Sequence, residues 1–187
     1  MLPVVIGAGC LLLGGALSLW RAPSELAEKG RISVLTFLAT FVAYGGLALS
    51  AFVAAWSSYW PIPIPNGPAL AFGGSLAFVG ATIYLAARLQ FRSFRLIWGL
   101  AADRLVTTGV YRLSRNPQLV GWGLLLLGVA VLGRSGAALL LATLFWASCL
   151  VSVPLEERAL ERRYGAAYEA FRSSVPRFFG LARGGVG

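Results

Sequence analysis

Long apolar stretches alternate with short polar connectors along the whole of this chain, and that alternation sets its expected architecture. Residues 2–20 carry no charge and nearly reach the roughly twenty residues that cross a hydrocarbon core. No basic residue precedes them and the stretch outruns a signal-peptide core, so a retained first helix is expected. Residues 21–31 form a polar connector holding Arg21, Lys29 and Arg31 against Glu25 and Glu28, with Ser24 placed to cap a brief surface helix. Residues 32–56 make a second span, in which Gly45 and Gly46 offer a close-packing point.

Residues 57–68 are uncharged and contain four prolines, which forbid a regular helix and predict a rigid connector. Trp56, Tyr59 and Trp60 beside it read as an interfacial aromatic belt. A third span covers 69–87. Residues 88–116 then hold six arginines and one acid, Asp103, and Arg88, Arg92 and Arg95 are spaced to share the face of an interfacial helix. Residues 118–133 and 135–154 are two further spans turning at Arg134 and Gly136. Gly121, Gly123, Gly128 and Gly133 predict that they pack on each other as a hairpin. After Pro154 an amphipathic tail helix is expected over 155–175, with Leu160, Tyr164, Ala167, Tyr168 and Phe171 on one face, ended by Val175-Pro176 and followed by a frayed end at Gly184, Gly185 and Gly187.

The expected fold is therefore an all-α integral membrane protein of about five transmembrane helices in a single membrane domain. Residues 1–87 supply three spans, and residues 88–187 the hairpin 118–154 and the tail. Composition agrees: 58% of the residues are hydrophobic and 12% charged, about half the charged share of a soluble domain. The net charge of +9 comes from residues in connectors, where anionic lipid headgroups and the positive-inside rule explain it without nucleic acid. The basic connectors put the amino terminus outside and the carboxyl terminus in the cytoplasm, and the excess of arginine over lysine suggests a bacterial inner membrane.

No histidine occurs, which removes histidine metal sites, catalytic triads and histidine bases, and no metal is expected. Cys10 and Cys149 lie in separate apolar stretches with no partner at ligand spacing and read as small buried hydrophobes. Candidate chemistry concentrates at 105–122, where Arg112 and Arg115, with Arg104 just ahead of them, the bend-permitting Gly109 and the Asn116-Pro117 step sit beside a membrane span. Pro117 fits the first turn of a helix, so the backbone donors of Arg115 and Asn116 are expected at a positive helix end suited to a carboxylate.

Val106-Thr-Thr-Gly-Val-Tyr-Arg, Arg115-Asn-Pro, Gly121-Trp, Glu156-Glu157, Tyr164-Gly165, Tyr168 and Val175-Pro-Arg follow one another in an order and spacing that resemble the isoprenylcysteine carboxyl methyltransferases and related small phospholipid-type membrane methyltransferases. The resemblance covers about the last eighty residues. It implies S-adenosylmethionine as methyl donor, held between the Arg115 turn and the Glu156-Glu157 helix start. Arg115 and Asn116 would be catalytic. Gly109, Tyr111, Arg115, Asn116, Pro117, Leu119, Val120, Glu156, Glu157, Tyr164 and Tyr168 would line the donor.

The donor's chemistry fits those residue types: its carboxylate suits an arginine, its ribose hydroxyls a carboxylate, its sulfonium an aromatic face. Asn116 stands where many relatives carry histidine, so no base titrating near neutrality sits there. The acceptor is expected to be lipidic or prenylated, presenting a carboxylate or an amine from the bilayer. Membrane sterol reductases, which use a nicotinamide cofactor, share an arginine, histidine or asparagine, proline segment and give an alternative. A non-catalytic membrane scaffold is another.

Overall fold

A computed structural model describes residues 1–29, 31–57, 60–90 and 105–180. Among them the chain is helical throughout, apart from turns and one isolated antiparallel bridge between Pro61 and Ser135. The helices are α1 (Leu2–Lys29), α2 (Val34–Ala55), α3 (Asn66–Leu89), α4 (Pro117–Leu132), α5 (Gly136–Tyr164) and α6 (Ala166–Ser174), with a 3₁₀ turn at Gly109–Arg112 before α4. Helices α1, α2, α3 and α5 are long and apolar enough to cross a bilayer, and α4 is a shorter apolar helix beside them. Leu12, Leu13, Phe41, Phe52, Phe72, Phe78 and Leu150 are exposed on the outside of the bundle, as expected where lipid and not water is the solvent. The protein is a multi-pass, all-α membrane protein.

Small residues set the packing. Gly14 of α1 lies against the backbone of Ala39 and Ala43 in α2, and Gly46 of α2 lies against Cys10. Gly45, beside it, meets only Phe41 of its own helix. The glycines of α4 divide their work differently from a simple hairpin. Gly121 and Gly128 face Gly80 and Gly73 of α3, where an added Cβ on Gly121 would stand 2.5 Å from the Tyr84 nitrogen and 2.7 Å from the Gly80 carbonyl oxygen. Gly123 receives the Trp146 ring of α5, and Gly133 receives Ala55 of α2. The closest neighbour of α4 is therefore α3, because glycines seven residues apart on both helices let the two backbones touch. The turn between α4 and α5 still makes a hairpin, pinned by Ile62 N–H to the Arg134 carbonyl (2.7 Å) and Gly136 N–H to the Trp60 carbonyl (2.8 Å). The proline-rich connector thus serves as a brace across one end of the bundle.

Several boundaries differ from those expected: α3 already starts at Asn66, inside the proline-rich connector, and two helices run on through a proline. Helix α1 continues through Pro23 to Lys29, so Ser24 caps nothing and its hydroxyl donates to the Arg21 carbonyl within the helix. Glu25 does the capping-like work instead: its carboxylate accepts from the Ser33 backbone N–H (2.7 Å) and hydroxyl (2.9 Å) and pairs with Arg21, locking the start of α2 to the end of α1. Helix α5 likewise continues through Pro154, so no separate tail helix begins at 155; Glu156 and Glu157 sit within α5, and the break comes at Gly165, whose φ of +50° favours glycine. Leu160, Tyr164, Tyr168 and Phe171 do share a packed cluster with Tyr111 and Ala87, while Ala167 is exposed. Trp56 and Trp60 are exposed as a belt would be. Tyr59, Arg92, Arg95, Asp103, Arg104 and the terminal glycines lie outside the described residues.

Candidate functional site

The start of α4, the lower part of α5 and the segment after α6 converge at one end of the bundle. Pro117 opens α4 at its first position, as its fixed φ favours. Gly109, at φ +59°, makes the bend before the 3₁₀ turn in a backbone conformation that favours glycine, with the end of the Gln90 side chain against it. These two features carry Arg115 back under the bundle toward α5.

There Arg115 meets Glu157. Arg115 Nη1 lies 3.0 Å from Glu157 Oε1, with side chains 9% and 8% exposed. This close ion pair lacks hydrogen-bond geometry: Arg115 Nε and Nη1 and Glu157 Oε1 are buried and hydrogen-bond to nothing among the described residues. The other carboxylate oxygen, Oε2, accepts from Arg177 through Nη2 (2.7 Å) and Nε (3.1 Å). One carboxylate therefore stands between two guanidiniums.

The segment bearing Arg177 is fastened to the turn before α4. Arg115 N–H donates to the Pro176 carbonyl (2.9 Å), the Asn116 side-chain amide to the Arg177 carbonyl (3.1 Å), and the Ser114 hydroxyl to that same carbonyl (3.3 Å). Asn116 N–H in turn donates to Ser114 Oγ (3.1 Å). The backbone donors of Arg115 and Asn116, expected to face the aqueous interface as an anion site, are thus taken up by Pro176 and Ser114. What remains for an anion is the Arg115 guanidinium. Arg177 was visible in the sequence only as the last residue of a short motif; its basic side chain beside a buried acid is what the linear order hid.

Around this centre the remaining candidates take different positions. Tyr168 is buried next to the pair; burial, with the Glu157 charge, pushes its hydroxyl above the usual tyrosine value while Arg115 pulls it down. Tyr111 is buried with its hydroxyl accepting from Gln118 Nε2 (3.0 Å), and burial raises its pKa. The hydrogen bond from Arg177 to Glu157 raises the arginine's own pKa. Tyr164 is half-buried beneath the Arg163 guanidinium, 5.6 Å from its ring centre. Pro117 and Val120 are buried in helix packing and Leu119 packs on the central core. Glu156 turns away: it lines a groove between α1, α2 and α5, on a different face of α5 from Glu157. The structure brings together Arg115, Asn116, Glu157, Tyr168 and Arg177, and separates Glu156 from them.

A membrane-embedded helical bundle with an arginine–glutamate–arginine cluster at one end, of which the Arg115–Glu157 pair is buried, defines the class. The family profile described as phospholipid methyltransferase matches residues 68–167, more than half of the chain, from the start of α3 past Glu157. The chain belongs to that family and is a membrane methyltransferase. No curated protein and no solved structure matches it.

Proposed function

We propose that the protein transfers a methyl group from S-adenosylmethionine to a lipidic acceptor, and that the donor is held at the Arg115–Glu157–Arg177 cluster. The observation that carries this reading is the set of buried polar atoms without hydrogen bonds. Arg115 Nε is a buried donor with no partner among the described residues, and Arg115 Nη1 and Glu157 Oε1, ion-paired at 3.0 Å, lack hydrogen-bond geometry. Buried groups of this kind are costly unless something completes them. A donor molecule with a carboxylate and two vicinal hydroxyls supplies both complements: the carboxylate to Arg115, the hydroxyls to Glu157. When bound, the donor supplies an electrophilic methyl on a sulfonium.

The chain's own residues then bind, align and exclude water, which is most of what an in-line methyl displacement asks of a protein. Asn116 acts by holding the Arg177 carbonyl, a task an uncharged amide performs at any pH. Tyr168 closes the cluster from α6, and Tyr111 and Gly109 shape the turn that delivers Arg115. Residues 88–187 form the catalytic part, with the first two helices and most of α3 as the membrane scaffold around it. The basic end of the bundle, which gathers Arg21, Lys29, Arg31, Arg88, Arg112, Arg115 and Arg177, faces the cytoplasm by the positive-inside rule; the opposite end carries Arg134 alone among described basic side chains. Family membership favours this reading over a nicotinamide-dependent reductase.

Calorimetric titration of the detergent-purified protein with S-adenosylmethionine tests it. Binding is expected in the wild type and binding weakened by about tenfold or more in Glu157→Gln; binding of a nicotinamide cofactor in place of S-adenosylmethionine would overturn it.

A further inference from the structure

Arg134 stands at the turn between α4 and α5, at the end of the bundle opposite the cluster. It is exposed and has no ion-pair partner among the described residues. The distribution of acids in the chain explains why. The described ones close α1 or lie in the last part of α5 and in α6, all at the basic end. Asp103, outside the described residues, belongs to a connector whose two ends, Gln90 and Leu105, line one hollow at that same end. The chain brings no carboxylate to Arg134.

Beside the arginine, the turn and the proline-rich brace leave a hollow of ≈ 500 Å³ walled by Trp56, Ser57, Pro61, Ile62, Leu132 and Arg134. Trp56 rests on the Phe52 ring, 4.5 Å between centroids, and its exposed indole carries an N–H donor. The backbone beneath is fixed: Arg134 N–H donates to the Val131 carbonyl (3.0 Å) and Ile62 N–H to the Arg134 carbonyl (2.7 Å). Arg134 holds φ +48°, a conformation that glycine adopts at lower cost. What an arginine adds at this position is its guanidinium.

A guanidinium at the level of an aromatic belt meets lipid headgroups, and its planar fork matches the oxygens of a phosphate. The apolar walls suit the glycerol and the upper acyl chain that follow such a phosphate into the bilayer. We propose that this hollow holds the phosphate of a glycerophospholipid, paired with Arg134 beside the Trp56 indole, as a bound lipid that is not a methyl acceptor. Distance separates it from the reaction, because α5 at 1.5 Å per residue puts roughly 30 Å between the turn and Glu157. The lipid ties the braced end of the bundle to its leaflet and fixes the depth of α4 and α5.

The test uses the full chain in a maltoside detergent with phosphatidylglycerol bearing a photoreactive diazirine on its headgroup, labelled residues being mapped by mass spectrometry. Labelling of residues 55–62 and 132–134 is expected in the wild type. Unlabelled phosphatidylglycerol should compete it away, and diacylglycerol with the same acyl chains, which lacks the phosphate, about tenfold less well. Arg134→Gln is expected to cut this labelling about tenfold. Arg134→Gly relieves the backbone and should unfold at no lower temperature than the wild type while losing the labelling as fully, which separates lost binding from misfolding. Labelling at the basic end is the internal control and should be equal in all three proteins. Turn labelling unchanged in both variants overturns the proposal, and so does equal competition by diacylglycerol. Competition by inorganic phosphate as strong as by phosphatidylglycerol shows a site for the free anion and overturns the lipid assignment.

Discussion

Arg115 and Arg177 share one carboxylate but differ in burial, and their substitutions should differ accordingly. Removing Arg115 leaves Glu157 buried with a single, half-exposed counter-charge, so Arg115→Ala is expected to lower stability by about 3 kcal/mol, near the lower end for breaking a buried pair. Arg177 is 42% exposed and screened by water, so Arg177→Ala should cost about 1 kcal/mol or less. Thermal unfolding of both variants in one detergent checks the order, and equal losses would contradict it. Arg115→Lys keeps the charge but loses the planar fork, and donor affinity should fall with it. At this scale the sequence was partly legible. Arg115 and Glu157 stood out by type and motif. That Glu156 faces another way was hidden, because adjacency in sequence becomes divergence on a helix whose start had been placed at Pro154.

Among the elements, α3 and α4 depend on backbone contact. Gly121→Leu would drive a side chain into the Tyr84 and Gly80 backbones, with no flexible group to yield. A loss of several kcal/mol is expected, on the order of severe overpacking, read as a lower thermal unfolding temperature in detergent. Ser135 joins two elements: its hydroxyl accepts from Ala138 N–H (3.2 Å) at the start of α5 and donates to the Ala54 carbonyl (2.8 Å) of α2. Ser135→Ala should cost about 1–2 kcal/mol, measured by thermal unfolding. Gly165→Ala places a β-carbon at φ +50°, a strain of about 1–3 kcal/mol, and should expose the junction of α5 and α6 to limited proteolysis. Helix existence could be read from hydropathy because lipid demands it. The partners of each glycine could not, since small residues mark a close approach without saying to which neighbour.

At the scale of the molecule, four long apolar helices and the shorter α4 frame one polar cluster at the basic end. The brace of residues 60–62 against the α4–α5 turn and the Glu25 lock between α1 and α2 hold opposite ends, so the cluster rests on a bundle fixed at both. By the orientation proposed from charge, cysteines introduced at 134 and at 172 should react with a membrane-impermeant reagent from opposite sides of sealed vesicles, and labelling of both from one side would contradict the arrangement. Equilibrium binding of labelled S-adenosylmethionine to the wild type, Arg115→Ala and Glu157→Gln decides whether the ion-paired cluster receives the methyl donor. Saturable binding is expected in the wild type, weakened by about tenfold or more in each variant, as loss of a charged hydrogen bond implies; affinity unchanged in both folded variants would show that the donor binds elsewhere.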